Sequence, residues 1–169
     1  MGDYPKLLLP EKENFHKIDV YLQNGGYETF KLALQKSPDE IINEVKKSGL
    51  RGRGGACFPT GLKWSFMPKS KDIPKYLCVN GDESEPGSFK DRQIFEYNPH
   101  QLIEGILISG YAMGIQTAYI YIRGEYHKWI NLMQKALDDA YEHGFVGPKM
   151  KDTFGTDYSI NIYIHKGAG

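Results

Sequence analysis

Between Gly49 and Trp64 the sequence GLRGRGGACFPTGLKW sets five glycines, three cations and two aromatics into sixteen residues. No helix or strand interior favours that mixture. Glycine reaches positive φ without steric cost, and successive unpaired N–H groups in such a loop make a concavity for an anion. Arg51, Arg53 and Lys63 add fixed positive charge suited to phosphate, and Phe58, Trp64 and Phe66 add flat apolar faces. Phosphate and planar ring together describe a nucleotide cofactor. The spacing Gly52-x-Gly54-x-x-Cys57 lacks the third glycine of a dinucleotide-binding fingerprint, so these residues alone also fit a flexible surface connector.

A second stretch, YLCVNGDESEPGSFKDR over 76–92, is an apolar, β-prone run that stops in small and acidic residues. Open α/β sheets place ligands just beyond the carboxyl ends of their strands, where Asn80, Asp82, Glu83 and Glu85 fall. Carboxylates repel phosphate. They are therefore expected to face sugar hydroxyls, an amide or a ring edge, leaving phosphate to the glycine loop and its cations.

The elements that must position these loops are legible in order. Residues 1–13 read as an extended arm, and residues 17–35 as two short helices around Asn24-Gly25-Gly26. Ser37-Pro38-Asp39-Glu40 has the spacing of a capping box, opening a helix that Gly49 ends. Residues 69–75 read as a polar connector into a strand at 76–80. A helical turn at 89–96 follows, then a helix from Asn98-Pro99-His100 to Gly114, a strand at 117–122, a helix at 125–143 and a strand at 160–165. The apolar face of the 125–143 helix reads as core. Alternating strands and helices predict an α/β fold with a parallel sheet and right-handed crossovers, of which part is present.

Lys plus Arg equals Asp plus Glu at 21, which gives no net field to attract nucleic acid or an anionic membrane. No apolar run approaches the length of a membrane span. Cys57 and Cys78 have no CxxC spacing, which favours a reducing compartment over a disulfide framework or zinc site. The five histidines show no metal spacing and read as structural or exposed, His100 as a helix-start residue; no metal ligand is assigned.

The blocks GLRGRGGACFPTGLKWSFMPK, NGDESEPGSFKDR, NPHQLIEGILISGYAMG, YIYIRGEY and FGTDYSINIYIHKGAG, in that order, resemble the flavin-carrying, NADH-oxidising subunit of respiratory complex I. Diaphorase subunits of NAD-reducing hydrogenases and NAD-linked formate dehydrogenases are similar to the same module. The resemblance implies an incomplete Rossmann-like domain at 49–169, preceded by an amino-terminal arm and helical region at 1–48. It also implies FMN as cofactor and NADH as substrate. Gly52, Arg53, Gly54, Gly55, Lys63, Asn80 and Asp82 would line the flavin, Glu83 and Glu85 would lie toward flavin and nicotinamide, and Phe58 and Phe66 toward adenine. Arg53, between the glycines, is favoured over Arg51. Hydride transfer between stacked rings needs no acid or base, so no catalytic residue is assigned.

Two departures stand out. Cys57 replaces the family's usual glycine and is expected as inert packing; Gly81 replaces its usual alanine. The family continues past Gly169 with a tyrosine and paired glutamates that complete the flavin site, then a domain with cysteines for an iron–sulfur cluster. With two cysteines this stretch cannot supply the four thiolates of a [4Fe–4S] centre. It therefore reads as an amino-terminal fragment, inactive alone. The implied partners are other peripheral-arm subunits, above all the small iron–sulfur subunit, holding the protein on the cytoplasmic side of a membrane it does not enter. A non-catalytic nucleotide-binding or assembly module is the alternative.

Overall fold

Three segments rich in β-branched and aromatic residues, β1 (Tyr76–Gly81), β2 (Thr117–Ile122) and β3 (Asn161–Lys166), lie side by side in that order in a computed structural model. It describes residues 8–70 and 72–168, so the expected arm at 1–13 lies partly outside the described residues. All pairings are parallel. Tyr76, Thr117 and Asn161 share one end of the register, and Gly81, Ile122 and Lys166 the other. Three carboxyl ends therefore open on one edge.

Burial alternates along the strands, as a half-covered sheet requires. Ala118, Ile120, Ile122 and Ile162 are buried, while Tyr119 and Tyr163 are exposed and stack on each other at 5.6 Å between centroids. Helices α5 (Lys90–Tyr97) and α6 (Pro99–Met113) connect β1 to β2; α7 (His127–Glu142) and α8 (Met150–Phe154) connect β2 to β3. Ile103, Ile106, Leu107, Met133 and Leu137 join the strand isoleucines in one core. The Pro99 start of α6 and its left-handed Gly114 cap agree with the expected boundaries.

The amino-terminal helices α1 (Ile18–Gln23) and α2 (Glu28–Leu34) insert Tyr21, Tyr27 and Phe30 into that core. Tyr27 adopts a left-handed backbone, φ 63°. Its ring stacks on Phe145 at 4.2 Å and its N–H donates to Glu104, contacts that offset the strain. His100 starts α6 as expected but is completely buried, with Nδ1 3.1 Å from the Tyr27 hydroxyl. Burial pushes its pKa down to about 4, so it is neutral.

Helix α3 (Pro38–Lys47) begins in the expected capping box: Ser37 Oγ accepts from the Glu40 N–H, and the Ser37 N–H donates to the Glu40 carboxylate at 2.7 Å. Two helices were not expected from the sequence. One is the five-residue α8. The other, α4 (Thr60–Ser65), lies inside the stretch read as loop. A Cβ at Gly61 would lie 2.4 Å from the Lys46 nitrogen, so its absence lets α4 press onto α3.

Candidate nucleotide site

The glycine loop is a ring closed at its base. Gly52 N–H donates to the Phe58 carbonyl and Thr60 N–H to the Leu50 carbonyl, both at 2.9 Å, around an antiparallel bridge between Arg51 and Pro59. Beyond that base, the N–H groups of Arg53, Gly54, Gly55, Ala56, Cys57 and Phe58 have no acceptor among the described residues. They stay exposed to solvent, which tolerates unpaired donors and leaves them free for an anion. Open space surrounds the Cβ positions of Gly54 and Gly55, and Gly55 has φ 103°, accessible without strain to glycine alone.

The cations differ in what they touch. Arg51 Nη1 donates to the Cys57 carbonyl at 3.2 Å and so serves the loop's own shape. Arg53 and the α4 residue Lys63 have no acidic partner among the described residues, which leaves their charge available. Cys57 departs from the expectation of buried packing. It is exposed and holds a left-handed φ of 50°, a conformation that glycine adopts without strain.

Phe58 and Phe66 are both exposed, their centroids 6.2 Å apart and their planes tilted by 54°. Two parallel faces holding a ring between them would stand about 7 Å apart, twice the usual carbon contact distance. The pair therefore offers one continuous apolar surface for stacking, not a ready slot. Trp64, on α4, packs partly buried against the core and positions the helix.

The acidic loop leaves β1 at Gly81, where a Cβ would lie 2.7 Å from Phe95 Cζ. Asn80 Oδ1 accepts from the Asp82 N–H at 2.9 Å and Ser84 Oγ donates to Asp82 at 2.9 Å, fixing the first turn. Asp82 and Glu85 are more open than their neighbour Glu83, whose carboxylate is 1% exposed. That carboxylate accepts from Ser88 Oγ at 3.0 Å, from the Asp91 N–H at 2.8 Å and from Arg92 Nε at 3.3 Å. Burial raises its pKa, but those donors outweigh burial and hold it below the usual carboxylate range. Expected to lie toward a ligand, it instead serves the start of α5.

No hydrogen bond, ion pair or ring contact among the described residues joins the glycine loop to the acidic loop. Both loops are largely open to solvent. Cavities of about 300 and 380 Å³ lie elsewhere, one bordered by His16, Phe95 and His143, the other by Tyr21, Asn98 and Glu104; neither is lined by a sequence-predicted site residue. Sequence reasoning gave no role to Arg123 and Tyr126 beyond β2, which reach the acidic loop. Their signal was placement at a strand's carboxyl end, the same one that singled out Asn80.

The profile of the family described as Nuo51 FMN-binding domain matches residues 45–169. An F-type subunit of NADH-quinone oxidoreductase from Rhizobium meliloti is 52% identical over 155 residues, which cover 91% of this chain and 36% of that protein. The corresponding NADH-quinone oxidoreductase protein of Rickettsia typhi is 54% identical over 147 residues, 87% of this chain and 34% of that protein. The chain thus spans about a third of the length of these curated relatives. Among solved structures, a chain of NAD+-reducing [NiFe]-hydrogenase in the H2-reduced state aligns with a TM-score of 0.68 and 32% identity, over 82% of this chain and 23% of that one.

Proposed function

The chain belongs to the Nuo51 FMN-binding domain family, and from that membership we propose that it forms the flavin-binding part of an NADH-oxidising subunit of a respiratory NADH:quinone oxidoreductase. The observation that carries the reading is the ring of six free N–H groups with unpaired Arg53 and Lys63, on a fold whose acidic loop follows a parallel strand. When bound, FMN supplies an acceptor for a hydride from NADH that can afterwards release electrons one at a time.

The residues bind and orient. Gly52, Gly54 and Gly55 let a phosphate approach the backbone, and Arg53 and Lys63 neutralise it. Asn80 and Asp82 meet the polar groups of the flavin, while Glu85 stands toward the flavin and nicotinamide. Phe58 and Phe66 offer their shared surface to adenine. Glu83 takes part by holding the loop, through its buried carboxylate. Electrons released by a bound flavin would go to iron–sulfur centres, a [4Fe–4S] cluster among them, with the small iron–sulfur subunit and other peripheral-arm subunits as partners. The assembly sits on the cytoplasmic side of the membrane. Among the described residues no helix is long and apolar enough to cross it.

The test is flavin content and NADH-dependent ferricyanide reduction of the subunit containing this chain. One FMN per chain is expected, and Glu85→Gln should raise the flavin midpoint potential by removing negative charge near a group that gains it on reduction. A subunit that neither retains FMN nor reduces ferricyanide refutes the reading. The 169 residues alone are expected to turn over no NADH.

A further inference from the structure

The proposed function leaves the tetrad Arg123-Gly124-Glu125-Tyr126, directly beyond β2, without a part. It lies against the acidic loop. Tyr126 Oη donates to the Glu83 carbonyl at 2.9 Å, and Arg123 Nη1 donates to the same oxygen at 3.4 Å. The Arg123 N–H continues the ladder to the Gly81 carbonyl at 3.3 Å. Both side chains are themselves held. Arg123 is paired with Glu125 at 2.9 Å, and the Tyr126 ring lies 5.3 Å from the Arg92 guanidinium carbon and 5.0 Å from the Trp129 ring.

Glu83 is therefore gripped at two points from two elements. Its carbonyl is held from the turn after β2, and its carboxylate from the start of α5, where Arg92 also donates to the Ser88 carbonyl. Asp82 and Glu85 flank it, and among the described residues neither side chain makes a hydrogen bond outside the loop. With both groups of Glu83 fixed, the backbone directions of its neighbours are restricted too. A buried carbonyl that lost its donors would leave the loop a wider set of conformations.

We infer that Tyr126 and Arg123 are positioning residues that hold the Glu83 carbonyl and thereby set where Asp82 and Glu85 stand toward the bound nucleotide. The inference rests on the nucleotide reading above for its ligand, but the loop's order can be measured without one. Apparent affinity scales with the fraction of protein whose loop is correctly arranged, so loosening should weaken binding and leave the later chemistry intact.

Tyr126→Phe removes the hydroxyl and keeps the ring; Arg123→Met is the second variant, and Lys151→Met, which breaks an exposed ion pair between α8 and Asp157, is the control. Amide hydrogen exchange of the ligand-free protein should speed up by about 3- to 10-fold across residues 82–89 in both variants, the equivalent of one lost hydrogen bond. The strands and the control should not change. In the flavin-loaded protein the FMN dissociation constant and the NADH KM should rise by a similar factor, with kcat held within about twofold. Unchanged loop exchange in well-folded variants overturns the inference. So does faster exchange with unaltered FMN and NADH affinity. Faster exchange in a protein whose unaltered form binds neither FMN nor NADH overturns the nucleotide reading and leaves the loop-holding role standing.

Discussion

Truncation of Phe66 separates a ligand-binding aromatic from a structural one, because the ring is placed so that the two roles predict opposite outcomes. Phe66 is 65% exposed and its ring contact is with Phe58, itself 43% exposed. Full burial of such a side chain stabilises by about 1.5–3 kcal/mol, so the third that is covered contributes about 0.5–1 kcal/mol. For a chain of this length that lowers Tm by about 1–4 °C. Stacking of a base on an aromatic is worth about 1–3 kcal/mol, which at tenfold per 1.4 kcal/mol weakens NADH binding by about 5- to 100-fold. Phe66→Ala should therefore lose NADH affinity while keeping its melting temperature nearly unchanged and its FMN occupancy full. Titration of NADH against the anaerobic, fully reduced flavoprotein, flavin content and a thermal melt on one preparation decide the matter. Unchanged NADH affinity in a folded, flavin-loaded variant refutes the stacking role. A joint collapse of Tm and flavin content would show that Phe66 supports the fold, against its exposure.

Two further outcomes follow from the packing around the site. Gly81→Ala places a methyl 2.7 Å from Phe95 Cζ and 2.9 Å from the Tyr121 carbonyl, and should cost about 1–3 kcal/mol in denaturant unfolding. Phe95→Leu in that background should recover part of the loss, and simple additivity of the two changes would show that the ring is not what excludes the methyl. His100 is neutral when folded, with a pKa near 4, but takes a proton in the unfolded chain below about 6.5. Its contribution is thus complete above pH 6.5 and is lost as pH falls toward 4, about 2 kcal/mol between pH 7 and pH 5. His100→Gln should flatten that slope, and an unchanged slope in unfolding measured across pH would refute its burial as a neutral imidazole.

What the sequence determined by itself was local. Ser37 to Glu40 specified a helix start because a hydroxyl and a carboxylate three residues apart satisfy each other's backbone donors. Gly114 specified a helix end, and the β-branched and aromatic run Thr117–Ile122 specified a strand, since the first depends on one residue's conformation and the second on side-chain shape beside the backbone. The glycine loop and the acidic loop were legible for the same reason: composition alone shows where a backbone is open and what charge it carries. The tertiary structure decided whatever depends on partners distant in sequence. It formed α4 inside an apparent loop because Gly61 meets Lys46. It buried His100 against Tyr27, 73 residues away, and turned Glu83 inward while leaving Glu85 outside. Three neighbouring carboxylates look alike in a sequence. Only the donors that fold back on one of them, from Ser88, Asp91, Arg92, Arg123 and Tyr126, make it part of the scaffold, while the other two stay exposed.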